Sequence, residues 1–292
     1  MTAPSDRSRT FAQSSRLHRE LKKWRAQPAA LVALAFLLCL VLIAIFGDII
    51  MPHDPNHQDL GASYQPPGSD YLLGTDQFGR DILSRLIDAT KVTVTAPLTA
   101  VSVAALLGIP TGLIAGYFRG MSDWILSRVA DTLLSIPSIA MAIAIVAVLG
   151  PDLQNAMVAI GFVFAPRLFR IVRGAVLSVR EELFVDSAVS IGASSSRILF
   201  THILPNIASP LLVQVTLMLG FSVLAEASLS FLGLAVQPPA ASWGSMLRVA
   251  YENQYTAPFQ VIPPGVAMTL TILSFNTLGD GVRDIVAGRR TR

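Results

Sequence analysis

The sequence predicts an all-α membrane protein with six transmembrane helices. Three observations carry this. Hydrophobic residues make up 52% of the 292 and charged residues only 14%, against about 25% charged in soluble domains. Uncharged runs recur at the length of roughly 20 residues that a helix needs to cross hydrocarbon. Lys and Arg divide unevenly between the connecting segments, as they do in multi-pass proteins.

Residues 1–28 form a basic tail; its stretch RSRTFAQSSRLHRELKKWR suits either a solvated arm or a short amphipathic helix on anionic lipid. The first span, about 29–50, is preceded by that tail and reads as an anchor rather than a cleaved signal. It holds the one cysteine, Cys39, so no disulfide forms within the chain. An outer segment, 51–91, opens with proline-rich turns (MPHDPNHQ, YQPPGSD). From Arg80 onward Ile82, Leu83, Leu86 and Ile87 recur at helical spacing, predicting an amphipathic helix on the outer surface with Asp81 and Arg85 as an i,i+4 pair.

The second span, 92–117, contains Pro97, Gly108, Pro110, Gly112 and Gly116, which suit bends and close helix packing. The third, 129–150, begins beside Arg128 and Asp131, spaced for an ion pair on one helix face. The fourth, 154–175, is the weakest, because it carries Arg167, Arg170 and Arg173; their long stems are expected to snorkel to lipid headgroups. A polar segment, 178–203, leads into the fifth span, 204–226, which ends at Glu226. The segment 227–260 is too apolar for a simple loop and reads as an outer cap with Trp243 at the membrane interface. The sixth span, 261–280, precedes a basic tail, 281–292. With both termini inside, 18 of the 22 Lys and Arg lie in inner segments, which sets the orientation.

The chain has no phosphate-binding loop of the GxxxxGK[ST] kind: its lysines are Lys22, Lys23 and Lys91, and none follows a glycine loop. Energy for uphill transport therefore has to come from an ion gradient or another protein. The acids near spans, Asp48, Asp131, Glu226 and Asp280, sit at span ends, which disfavours proton coupling. Glu226 reads as a buried structural carboxylate. His53 and His57 are spaced like a metal pair, yet Pro52 and Pro55 argue against the regular helix that pair needs, so no metal site is expected.

The polar segment has its own pattern. Phe184, Ala188 and Ile191 fall on one face of a short helix, with Glu181 and Glu182 in its first turn. Gly192 is its stop, one of Ser194, Ser195 or Ser196 caps a second helix, and Pro205 bends the chain into the fifth span. Flanking spans leave no freedom to enter a DNA groove, so nucleic acid is excluded as a partner. A helix presented rigidly to the cytoplasm suits docking into a soluble partner's groove, while the plainer reading lays it on lipid.

This stretch resembles the EAA loop of ABC-importer permeases, in which E-A-A, three residues, a glycine and, further on, Leu-Pro form the coupling helices. Asp186, Ser187 and Ala188 stand at E-A-A, Gly192 at the glycine, and Leu204-Pro205 at Leu-Pro, followed by Asn206. GTDQFGRDILSRL, EASLSFLGLAVQPPAASWGSML and GDGVRD are similar to segments of the C-type permeases of dipeptide, oligopeptide and nickel importers. The resemblance covers about residues 28–290 and implies the type I ABC-importer permease fold. It implies ATPase coupling through Glu182, Asp186, Ser187, Ala188, Ser190, Gly192, Ala193 and Ser194, with Leu204, Pro205 and Asn206 as the structural hinge. Gly74, Asp76, Gly79, Arg80, Asp81, Glu226 and Trp243 belong to its outer-face motifs. It further implies a bacterial inner-membrane location and no cofactor on this chain, ATP and magnesium being held by two cytoplasmic ATPases or one fused ATPase. A second, homologous permease would complete a heterodimer, and an external binding protein would deliver di- or oligopeptides, with nickel as the alternative. Asp186 and Ser187 depart from the loop's eponymous residues. An ion-driven carrier is the competing class.

Overall fold

A computed structural model of the chain describes residues 27–287. Their regular structure is helical, with one isolated antiparallel bridge between Thr75 and Asp81. The basic N-terminal tail up to Ala26 and the residues after Ala287 lie outside it, and with them the amphipathic-helix reading of the tail. Four long apolar helices are α1 (Pro28–Ile50), α2 (Ile82–Phe118), α5 (Leu153–Arg180) and α7 (Ser195–Phe231). The last is α9 (Ile262–Ala287), entered through a 3₁₀ turn at Pro258–Val261. Between α2 and α5 come α3 (Gly120–Leu134) and α4 (Ser138–Leu149), bent by 92° at their junction; together they are long and apolar enough for a sixth crossing. Two shorter helices, α6 (Leu183–Ser190) and α8 (Trp243–Glu252), lie at opposite ends of the bundle, before and after α7.

The third span is thus broken rather than straight. Pro137 disfavours helical geometry at Ile136, the residue before it, so α3 ends there and α4 starts in a new direction. The outer amphipathic helix and the second span are one helix of 37 residues. Charge at Asp88 and Lys91 does not stop it, because Lys91 Nζ donates to Asp48 at 2.6 Å and to Asp88 at 3.1 Å, pairing the lysine where α1 and α2 meet. Helix α9 likewise runs on past residue 280.

Helices α2 and α5 touch backbone to backbone. A Cβ at Gly108 would lie 2.8 Å from the Ala165 carbonyl, at Gly112 2.7 Å from Val172 Cβ, and at Gly116 2.7 Å from Val176 Cβ. Gly161 of α5 returns the favour against Ala100 O. Small residues every fourth position allow this approach, which gains dispersion contacts where no hydrophobic force exists between helix and lipid. The core continues from Leu113, Leu168, Val172 and Val176 onto Val185 and Ala188 of α6 and onto Ile198, Leu199 and Ile203 of α7.

Three arginines of α5 have partners within the protein. Arg173 forms a two-pronged ion pair with Asp123, Arg170 donates to Asp131 at 2.5 Å, and Arg167 lies over the Phe221 ring. Asp131 therefore pairs across helices with Arg170 rather than along its own helix with Arg128. These pairs clamp α3 against α5.

Candidate functional site

At one end of the bundle, α5 hands over to α6 through Glu181, which accepts from Arg119 at 2.8 Å. Glu182 is the residue before α6, with no side-chain cap, so the acid in the first turn is Asp186. Gly192 ends the helix at φ +79°. Its N–H donates to Val189 O at 2.9 Å and that of Ala193 to Ala188 O at 3.1 Å, the paired bonds of a Schellman turn. Ser194 precedes the next helical turn, but its hydroxyl lies against Ser196 instead of capping the backbone. Ser187 and Ser190 return their hydroxyls to Leu183 O and Asp186 O.

The apolar face expected from Phe184, Ala188 and Ile191 is not the buried one. Val185 and Ala188 insert into the core, whereas Phe184 is 41% and Ile191 85% exposed. The chain then stays helical through Leu204-Pro205-Asn206 and does not break. Pro205 has no N–H and crowds the carbonyl four residues back; the preceding turn widens to a π-helix over Ile198–Ile203, and Asn206 Nδ2 donates to His202 O at 2.7 Å. Glu182, Asp186, Ser187, Ser190, Gly192 and Ser194 all lie exposed around α6.

The outer-face motif residues meet at the opposite end. Gly74 and Gly79 take positive φ, and a side chain at Gly79 would overlap Asp59 O. Asp76 Oδ1 accepts from the N–H groups of Phe78 and Arg80, while Oδ2 accepts from Arg80 Nε at 2.7 Å. Asp81 caps α2 through the Ser84 N–H at 2.9 Å and the Ser84 hydroxyl at 2.6 Å. It makes no pair with Arg85, whose Nη1 donates instead to Pro55 O and Asn56 Oδ1. Glu226 is buried and accepts from Ser230 at 2.6 Å. Trp243 is also buried: its Nε1 donates to Leu86 O, and Gly244 beside it lets α8 press on the Ala227 backbone. This cluster ties the cap to α2 and α7. Among the described residues no group of three or more His, Cys, Asp or Glu could hold a metal.

The binding-protein-dependent transport system inner membrane component family matches residues 108–292, a stretch that contains the α6 turn and the cap. The chain belongs to this family. Residues 15–67 match the N-terminal transmembrane domain of oligopeptide transport permease C. The dipeptide transport system permease of Alkalihalophilus pseudofirmus is 40% identical over 281 residues, 96% of this chain and 91% of that protein. The glutathione transport system permease of Pectobacterium atrosepticum is 40% identical over 264 residues, covering 90% and 88%. In fold the chain is similar to the MetNI methionine ABC transporter in inward-facing conformations, with a TM-score of 0.59, 19% identity and 70% and 97% coverage. It is therefore a multi-pass membrane permease of an ABC importer with the type I fold, a transport component and not an enzyme, working with separate ATPase and solute-binding components.

In the permease, sequence reasoning missed the residues that α6 turns away from the core. Leu183 is 83% and Val189 54% exposed, beside Ile191. Large apolar side chains on a helix whose other face is already buried were the available signal.

Proposed function

We propose that this permease pairs with a second, homologous permease in the bacterial inner membrane, both termini cytoplasmic, and forms with it the pathway for di- or oligopeptides. The names of the relatives, dipeptide and glutathione permeases, support peptides as the cargo class. An external binding protein delivers the peptide, and two cytoplasmic ATPases, or one fused protein, hold ATP and magnesium and drive the cycle through α6. The observation that carries the coupling role is the exposed set Leu183, Val189 and Ile191 on a helix anchored by Val185 and Ala188. A fixed helix with exposed apolar side chains fits a partner's groove. Glu182, Asp186, Ser187, Ser190 and Ser194 are the polar groups exposed among them, Ala188 and Ala193 seat it on the bundle, Gly192 shapes the turn, and Leu204, Pro205 and Asn206 root it in α7. Gly74, Asp76, Gly79, Arg80, Asp81, Glu226 and Trp243 hold the outer cap.

Cysteine crosslinking tests this. In a Cys39→Ser background, Ser190→Cys or Ser194→Cys crosslinks to a co-purified ATPase, and ATP changes the yield. Peptide uptake by this chain alone in vesicles, lost when the proton gradient is dissipated, would overturn the reading.

A further inference from the structure

Two guanidinium groups lie below the surface of the outer cap and share one carboxylate oxygen. Arg80 and Arg85 are each 7% exposed. Arg80 Nε donates to Asp76 Oδ2 at 2.7 Å, and Arg85 Nε lies 3.9 Å from the same oxygen. The neighbouring acids are engaged elsewhere. Asp81 serves the α2 N-terminus and Ser84, with His53 at 3.5 Å on its outer side, and Asp88 accepts from Lys91. Apart from that shared oxygen, Arg85 is met among the described residues by two neutral acceptors, Pro55 O at 3.0 Å and Asn56 Oδ1 at 3.3 Å. The other charges near it, Arg248 and Glu252, pair with each other at 3.0 Å.

Beside the two guanidiniums is a cavity of about 320 Å³, walled by Ile82, Val236, Met246 and Val249 and bordered by the Arg248–Glu252 pair. Around it three arginines face two carboxylates, an excess of one positive charge. A guanidinium out of water without a full partner is destabilising, and its planar fork matches a carboxylate held by two N–H groups. The volume lies at the lower end of the small-molecule range.

We propose that this cavity binds a carboxylate carried on a short apolar stem, seated on Arg80 and Arg85. Its opening toward the outside rests on the orientation proposed above; the carboxylate chemistry does not. Two sources carry that group to the outer face of an importer: the C-terminus of a peptide, and an acidic side chain of the binding protein.

Ligand-observed NMR on the purified permease complex in detergent tests the site, with 3-phenylpropionate and its neutral amide, 3-phenylpropanamide, as probes. The carboxylate binds about tenfold or more tighter than the amide, the equivalent of one charge-assisted contact. Arg85→Gln removes the preference, and Val249→Trp, which fills the cavity without altering its charge, blocks the carboxylate. Should Arg85→Gln fail to assemble, the wild-type comparison and Val249→Trp decide. Equal binding of both probes, no binding at about 10 mM, or binding untouched by Val249→Trp overturns the proposal, whatever the crosslinking of α6 shows. Displacement of the probe by a dipeptide but not by its C-terminal amide identifies the peptide as the source. Displacement by solute-free binding protein alone identifies an acidic side chain.

Discussion

Replacing Gly192 with alanine isolates the conformational demand of the α6 turn. The residue sits at φ +79°, and an added Cβ would meet nothing within 4 Å among the described residues, so no steric term enters. Both Schellman bonds, to Val189 O and Ala188 O, use backbone groups and survive the change. What remains is the left-handed conformation itself, which an L-residue adopts at about 1–2 kcal/mol. That strain is relieved when the turn frays, so the ratio of intact to frayed turn falls roughly 5- to 30-fold. If the partner ATPase reads the intact turn, its affinity for the permease falls by up to the same factor, measured by titrating labelled ATPase onto the permease pair in nanodiscs. Asparagine tolerates this region better than alanine, so Gly192→Asn falls between the wild type and Gly192→Ala. A wild-type affinity for Gly192→Ala, or an asparagine variant weaker than the alanine one, refutes the reasoning.

Three further outcomes are read by thermal unfolding of the purified complex. Gly244→Ala puts a Cβ 2.5 Å from Ala227 Cα and O, backbone atoms that cannot swing aside, and destabilises by about 1–3 kcal/mol. Trp243→Phe keeps a buried ring but loses the bond to Leu86 O; because Thr90 Oγ1 also donates to that carbonyl, the loss is about 0.5–1 kcal/mol, against about 3–5 for Trp243→Ala. A double-mutant cycle with Asp123→Asn and Arg173→Gln gives a coupling of about 1–3 kcal/mol for this partly buried, two-pronged pair, while an uncoupled pair would show additive effects.

The hydrocarbon layer writes its requirement into sequence directly, as uncharged runs, so the helices were legible. Their ends and breaks were not. Asp88 and Lys91 look like the end of a surface helix, yet α2 runs through them because Asp48, some forty residues earlier, comes to meet the lysine. Arg170 and Arg173 look like lipid anchors until the fold brings Asp131 and Asp123 across from α3. Periodicity in α6 misled for a different reason. Phe184, Ala188 and Ile191 do fall on one side of the helix, but the bundle takes the neighbouring side, centred on Val185 and Ala188, so the expected stripe is rotated off the buried one and Phe184 and Ile191 stay exposed. At the outer cap, Gly74 and Gly79 entered only through the family resemblance, and although Asp76 and Arg80 are spaced i,i+4, the approach of Arg85 to the same carboxylate has no local signature.

The glycine contacts between α2 and α5 have a mechanical consequence. At about 1.5 Å per residue, a 37-residue helix is a strut of roughly 55 Å. One end is moored to the cap through Asp81 and the Leu86 carbonyl, and the other lies against the core that seats α6. Locked to α5 along Gly108, Gly112 and Gly116, it has no slack in which to absorb a push. Force applied at α6 therefore arrives at the far surface as rotation of a stiff lever, and the joints that yield have to lie in the less tightly meshed contacts with α1 and α7.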